Sequence, residues 1–209
     1  MVEELTVEKF LSTLSSKEPV PGGGGASALA GALGNALGQM VANLTIGKKR
    51  YAQWEDEIKG LRARMETLQR EFVILADRDE EVFAPLAAAY GLPAGTEEEK
   101  ACKAEVMEQR LLDASYVPLE VMEKAVEMLG ILDVLAVKGS RMAVSDVGVG
   151  VQFVRTALLG AVMNVYINTK SMKDREKAEE LNREAEELVR NGTQAADRIY
   201  EVVLAGLRG

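Results

Sequence analysis

Asp77, Asp79 and Asp146 are the acid–base candidates of this chain, because it contains no histidine. Histidine is the commonest general base and metal ligand. Its absence excludes Ser-His-Asp and Cys-His catalysis. With one cysteine, Cys102, the usual zinc sites are excluded as well, and no metal is expected. Proton transfer then falls to Asp, Glu, Lys, Tyr, Cys or a bound water. Asp146 comes first because it precedes an apolar helical stretch, where burial would raise a carboxyl pKa toward working pH. A helix N-cap suits Asp146 equally well. Asp77 and Asp79 come second, with a solvated helix surface as the alternative.

A second constellation is Pro19-Val20-Pro21-Gly22-Gly23-Gly24-Gly25-Ala26-Ser27. Gly23-x-Gly25-x-x-Ala28 has the form of a relaxed dinucleotide fingerprint, but that fingerprint needs a preceding strand and a βαβ unit. Pro19 and Pro21 occupy the place of the strand, no βαβ pattern follows, and the Gly-Lys-Ser/Thr of a P-loop is missing. What remains is a glycine loop entering a helix near Ser27. It presents free backbone N–H groups and a positive helix end to an anion, a carboxylate or a polar heterocycle edge. A flexible turn explains the same residues. Asn164 and Asn168 lie four apart on one apolar helix face; buried amides need partners, and tying helices together would supply them as well as a bound molecule would. Lys48, Lys49 and Arg50 end the first long helix, where cations either attract an anion or cap the helix.

Helices must position all of these groups. Ala, Leu, Glu, Lys, Met and Arg dominate, aromatics make up 5 %, and few alternating β-branched runs occur. The pattern predicts an all-α fold, a multi-helix bundle with long antiparallel helices, formed as a single domain over 1–209. A short amphipathic helix over 6–14 carries Val7, Phe10, Leu11 and Leu14 on one face. Longer helices are predicted over 27–48, 53–90, 97–129, 145–169 and 174–207, with a short one over 131–138 after a break at Gly130. Thr96 and Glu99 form a capping-box pattern, and Pro118 is expected to disturb its helix. Gly31, Gly34 and Gly38 share one helix face, which points to close backbone packing. Ala178, Leu181, Ala185, Leu188, Gly192, Ala195, Ile199 and Val202 trace a heptad seam, suited to a bundle core or to a second subunit.

The net charge of −8 argues against nucleic acid as a partner. One cysteine cannot build a disulfide framework, and the start MVEELTVEKF lacks the basic and apolar regions of a signal peptide; a cytoplasmic location is expected. Residues 26–46 and 147–167 are apolar enough to raise the question of membrane spans. Asn35, Gln39 and Asn43 in the first, and Gln152, Arg155 and Asn164 in the second, would be costly in lipid. Buried helices are the better reading, with no membrane partner.

The glycine segment, followed by a Gly/Ala-rich helix with Asn35, Met40 and Asn43, resembles the opening of the formiminotetrahydrofolate cyclodeaminase and methenyltetrahydrofolate cyclohydrolase family. Asp77-Arg78-Asp79 with Phe83, the element Ala114-x-x-x-Pro118, and Ser145-Asp146 followed by Gly160-Ala161, Asn164-Val165 and Ile167-Asn168 resemble further parts of it. The resemblance spans nearly the whole chain. It implies a homodimer and a tetrahydrofolate substrate carrying a one-carbon unit, with no metal or redox cofactor. Cyclohydrolases add water to the methenyl bridge and open it to formyl-tetrahydrofolate; cyclodeaminases close formimino-tetrahydrofolate and release ammonia. With no formiminotransferase domain attached, the cyclohydrolase is the first expectation and the cyclodeaminase the second. A non-catalytic helical dimer scaffold is the reading from another class. On the enzyme reading, Asp146, Asp77 and Asp79 are the catalytic candidates. Substrate would be held by Gly23, Gly24, Gly25, Ser27, Asn43, Lys48, Lys49, Ser145, Asn164 and Asn168, with the asparagines on the pterin edge and the lysines near the glutamate tail.

Overall fold

Runs of strong helix formers with one apolar stripe each need neighbours to cover that stripe, and the fold supplies them with six α-helices. The computed structural model describes residues 2–208. The helices are α1 (Val7–Leu14), α2 (Gly23–Thr45), α3 (Glu55–Tyr90), α4 (Glu97–Lys138), α5 (Val144–Ser171) and α6 (Arg175–Arg208), with no strand among the described residues. α2 packs on α3, α4 and α5, while α5 packs on α2, α4 and α6. The antiparallel pair α2/α5 thus forms one layer, laid over α3, α4 and α6.

Three boundaries differ from the sequence expectation. α2 begins at Gly23 rather than Ser27, so the glycines form its first turn and not a loop; Gly22 is the N-cap. α4 runs unbroken through Pro118 and Gly130. Glycine there costs about 1 kcal/mol against alanine, whereas burying a flanking leucine such as Leu129 or Leu132 returns about 1.5–3 kcal/mol. α5 begins at Val144 with Ala143 as a cap that makes no side-chain bond, so neither Ser145 nor Asp146 is the N-cap. Thr96 and Glu99 do form the reciprocal capping box at the start of α4.

The close-packing reading of Gly31, Gly34 and Gly38 holds, but each meets a different helix. A Cβ on Gly31 would stand 2.5 Å from the Phe72 ring of α3, one on Gly34 2.7 Å from the Gly150 carbonyl of α5, and one on Gly38 2.7 Å from Met128 of α4. The α6 seam is spent inside the subunit. Its buried positions run Ala178, Leu181, Ala185, Gly192, Ala196, Ile199 and Val203. Beyond Gly192 they stand one residue past the predicted Ala195 and Val202, as a straight 3.6-residue helix drifts off a strict heptad. At the other end of the layer, the Thr45 hydroxyl accepts the Ser140 N–H at 2.8 Å and the Tyr51 hydroxyl accepts the Arg141 N–H at 3.0 Å. These bonds tie the end of α2 to the approach to α5. Residues Arg141–Ser171 are long and apolar enough to cross a membrane by length and composition, and half of the most apolar window is buried against other helices.

Candidate functional site

The first turn of any α-helix has N–H groups without intrahelical acceptors. In α2 the Gly25 N–H donates to the Asp79 carboxylate of α3 at 2.9 Å. Gly24 makes this approach possible: a Cβ there would lie 2.1 Å from Asp79 Oδ1. Gly24 is thus required by a carboxylate pressed against the backbone. Asp79 is half-buried. Desolvation pushes its carboxyl pKa above the usual aspartate value; the Gly25 N–H acts in the opposite direction, and nearby Glu80 pushes the same way as burial. The N–H groups of Gly23 and Gly24 have no hydrogen-bond partner among the described residues.

The facing wall comes from α5 and α4. Pro118 has no N–H, so the Ala114 carbonyl four residues earlier loses its helical partner. Asn168 fills the gap, donating Nδ2–H to that carbonyl at 2.9 Å. Asn164 donates to the Gly160 carbonyl at 3.1 Å. In both asparagines Oδ1 remains without a partner among the described residues. The Ala114-x-x-x-Pro118 spacing therefore has a physical purpose: it frees a backbone acceptor that orients a side-chain amide.

Between these walls lies a cleft of about 180 Å³, lined by Pro19, Val20, Gly22, Gly23, Gly24, Asp79, Val82, Phe83, Ala114, Asn164, Ile167 and Asn168. The structure brings together Gly23, Gly24, Asp79, Asn164 and Asn168. Gly25 supports them from behind. Ser27 is buried beneath, its hydroxyl donating to the Gly23 carbonyl at 2.7 Å where α2 crosses Gly160. Asp77 does not line the cleft; it accepts the Val2 N–H at 2.6 Å and anchors the N-terminal turn.

Other expected site residues stand elsewhere. Asp146 is eighteen residues before Asn164 on α5, about 27 Å along the axis, so it cannot share a cleft with Asp79 in one chain. Ser145 is exposed beside it. Asn43, whose Oδ1 accepts from Arg62 at 3.4 Å, and Lys48 and Lys49 lie at the far end of α2. Sequence reasoning left out Gly22, Val82 and Ile167 and gave Phe83 no role at the site. Phe83 follows Asp79 by four residues and Ile167 follows Asn164 by three, the spacings that share a helix face. Among the described residues no group of three His, Cys, Asp or Glu could hold a metal ion.

Known proteins resemble this chain along nearly its whole length. A profile described as Formiminotransferase-cyclodeaminase matches residues 6–187. The methenyltetrahydrofolate cyclohydrolase of Methylorubrum extorquens is 41 % identical over 198 residues, 95 % of each chain. The formimidoyltransferase-cyclodeaminase of Gallus gallus is 30 % identical over 94 % of this chain, which spans 36 % of that longer protein. The crystal structure of formiminotetrahydrofolate cyclodeaminase from Thermotoga maritima superposes with a TM-score of 0.89 at 27 % identity, over 98 % of each chain. With Asp79, the glycine turn and the two asparagines converging in one cleft, and with relatives matched along nearly its whole length, the chain belongs to the formiminotransferase-cyclodeaminase family.

Proposed function

We propose that this chain is a methenyltetrahydrofolate cyclohydrolase, adding water to the methenyl bridge of its folate substrate and opening it to formyl-tetrahydrofolate. The observation that carries the reading is the Asp79 carboxylate, held by the Gly25 N–H in a cleft flanked by two asparagine amides. The choice within the family rests on 41 % identity to a cyclohydrolase that it matches end to end. Formiminotetrahydrofolate cyclodeaminase is the second reading, favoured by the structural likeness to the Thermotoga maritima protein.

The residues suit the chemistry. Water attacks the bridge carbon between two folate nitrogens while Asp79 accepts its proton, giving a tetrahedral adduct. Its pKa, raised by desolvation, makes the carboxylate a better base than a solvated aspartate. When the bond from carbon to one nitrogen breaks, that nitrogen takes the proton held by Asp79; the hydroxyl proton passes to solvent as the formyl C=O forms, so the cationic substrate and water give the formyl product and one released proton. The free N–H groups of Gly23 and Gly24 are placed to receive the developing oxygen charge. The unpartnered Oδ1 atoms of Asn164 and Asn168 accept N–H groups of the pterin. Phe83 and Ile167 offer apolar surface to the rings. The partners of the chain are then its folate substrate and a second copy of itself.

Incubation with methenyl- and formimino-tetrahydrofolate tests the proposal. Loss of methenyl absorbance from the first supports the cyclohydrolase, and gain of it from the second supports the cyclodeaminase. Turnover of neither sinks both and leaves the scaffold reading.

A further inference from the structure

We infer that Ser27 and Gly160 are positioning residues for the reaction: Gly160 leaves room for the Ser27 hydroxyl to bond the Gly23 carbonyl, and that bond makes the Gly24 N–H a stronger donor to the oxygen charge that develops on the substrate. This rests on the folate reading above. Neither residue lines the cleft. They meet behind it, where α2 crosses α5. Ser27 is 6 % exposed, and its hydroxyl donates to the Gly23 carbonyl at 2.7 Å. A Cβ on Gly160 would stand 2.3 Å from Ser27 Oγ, so a side chain at 160 crowds the hydroxyl off that carbonyl.

Helix stability does not account for this pair. Alanine is the better helix former at both positions, and a serine that bonds the carbonyl four residues back slightly destabilises its helix. Two disfavoured residues therefore meet at one crossing. What they act on is the peptide unit between Gly23 and Gly24. Its carbonyl accepts the Ser27 hydroxyl, while its N–H borders the cleft and has no hydrogen-bond partner among the described residues. Hydrogen bonds in series polarise one another by about 10–30 % per bond, so a donor at one end of a peptide unit strengthens the N–H at the other. Gly160 serves the opposite wall as well. Its carbonyl accepts the Asn164 amide at 3.1 Å, and a Cβ on Gly23 would stand 3.7 Å from that same amide nitrogen. The crossing thus holds the glycine turn and Asn164 in one register.

Steady-state kinetics of Ser27→Ala, Gly160→Ala and the double variant test the inference. Loss of a whole donor of this kind costs about 10²–10³ in kcat; a tenth to three-tenths of that on a logarithmic scale is about two- to eightfold. Ser27→Ala is expected to lower kcat by this factor with KM unchanged, as for an interaction made only in the transition state. The pH limb of kcat keeps its wild-type centre, because Asp79 is untouched. Gly160→Ala is expected to lower kcat by a similar factor or more. In the double variant no hydroxyl remains to be displaced, and the new Cβ meets the Cβ of residue 27 at 3.3 Å. Its loss should stay near that of a single variant and well short of the product of the two. Ser115→Ala is the control. It removes the same kind of bond, a buried hydroxyl donating to the Leu111 carbonyl at 2.7 Å, but that carbonyl belongs to neither wall of the cleft, so kcat should stay at the wild-type value. If Gly160→Ala does not fold, Ser27→Ala against Ser115→Ala decides alone. An unchanged kcat in Ser27→Ala, a loss confined to KM, a displaced pH limb, multiplicative losses in the double variant or an equal loss in Ser115→Ala each overturn the inference and leave the function standing. No turnover by wild type overturns the function and this inference together.

Discussion

Two neighbouring glycines should respond oppositely to the same substitution. At Gly24 a Cβ would stand 2.1 Å from Asp79 Oδ1 and 2.5 Å from its Cγ. Non-bonded heavy atoms rest at roughly 3.5 Å, so Gly24→Ala drives the carboxylate back by about 1 Å or more. The displaced group is the end of a side chain, so the fold can absorb the move. Losing the Gly25–Asp79 hydrogen bond costs about 1.5–3 kcal/mol, offset by up to about 1 kcal/mol because alanine is the better helix residue. With the full offset the net destabilisation is about 0.5–2 kcal/mol. Catalysis has no such tolerance: a displacement of about 1 Å costs on the order of a hundredfold, and complete loss of the base costs about 10²–10⁴. At Gly25 the nearest atom to a new Cβ is the Ala76 carbonyl oxygen at 3.5 Å, with Asp79 Oδ2 at 3.9 Å. These are ordinary contacts, so Gly25→Ala keeps its activity within a few-fold and its stability unchanged or slightly higher. Methenyl-tetrahydrofolate hydrolysis and urea denaturation measure the two effects. Full activity in Gly24→Ala, or equal damage from both substitutions, would refute the reasoning that Gly24 exists to admit Asp79.

Asp79→Asn should abolish most turnover without weakening the fold. Because the carboxyl pKa is raised in the folded protein, the folded state binds that proton more tightly than the unfolded one. Wild-type stability therefore falls as pH rises from the ordinary aspartate value through the elevated one. Asp79→Asn lacks this decline, so its stability advantage should widen with pH across that window in urea melts; a constant or narrowing gap contradicts the burial argument. The base must be ionised to act, so kcat should rise with pH along a limb centred above the ordinary aspartate value. Asn168→Ala leaves the Ala114 carbonyl without a donor and should cost about 1–3 kcal/mol. In a Pro118→Ala background the helix can restore its own bond and the cost should shrink, a coupling that a double-mutant cycle reads directly.

The helices were legible because their signals are local. The Thr96–Glu99 box needed no tertiary knowledge. The glycine turn was misread as a loop because propensity disfavours glycine in a helix, and the carboxylate that compels glycine there comes from fifty-four residues away. The positions of the aspartates were hidden for a related reason. Asp146 stands before an apolar run and suggested burial, but the outer face of α5 is open and its first turn lies far from the glycines. Asp79 sits in Asp77-Arg78-Asp79-Glu80-Glu81, a charged run that reads as solvated. Its burial comes from the first turn of α2 lying across it, which no local pattern contains.

The cleft is built from backbone groups that helices ordinarily satisfy within themselves. One wall uses the N–H donors that every helix start leaves open, with glycine allowing a carboxylate to reach them. The other uses a carbonyl that a mid-helix proline leaves open. Each fixes one atom of a side chain and leaves another without a hydrogen-bond partner among the described residues: Gly25 holds Asp79 Oδ2 and leaves Oδ1, while Ala114 holds Asn168 Nδ2 and leaves Oδ1. A fixed donor or acceptor costs little reorganisation when charge develops on a substrate. Glycine and proline are the residues least favoured inside a helix, and here Gly24 admits a carboxylate to the start of α2 while Pro118 frees a carbonyl in the middle of α4. A chain without histidine can therefore position a carboxylate and an amide by exposing its own backbone, with Gly24 and Pro118 as the substitutions most revealing of that design.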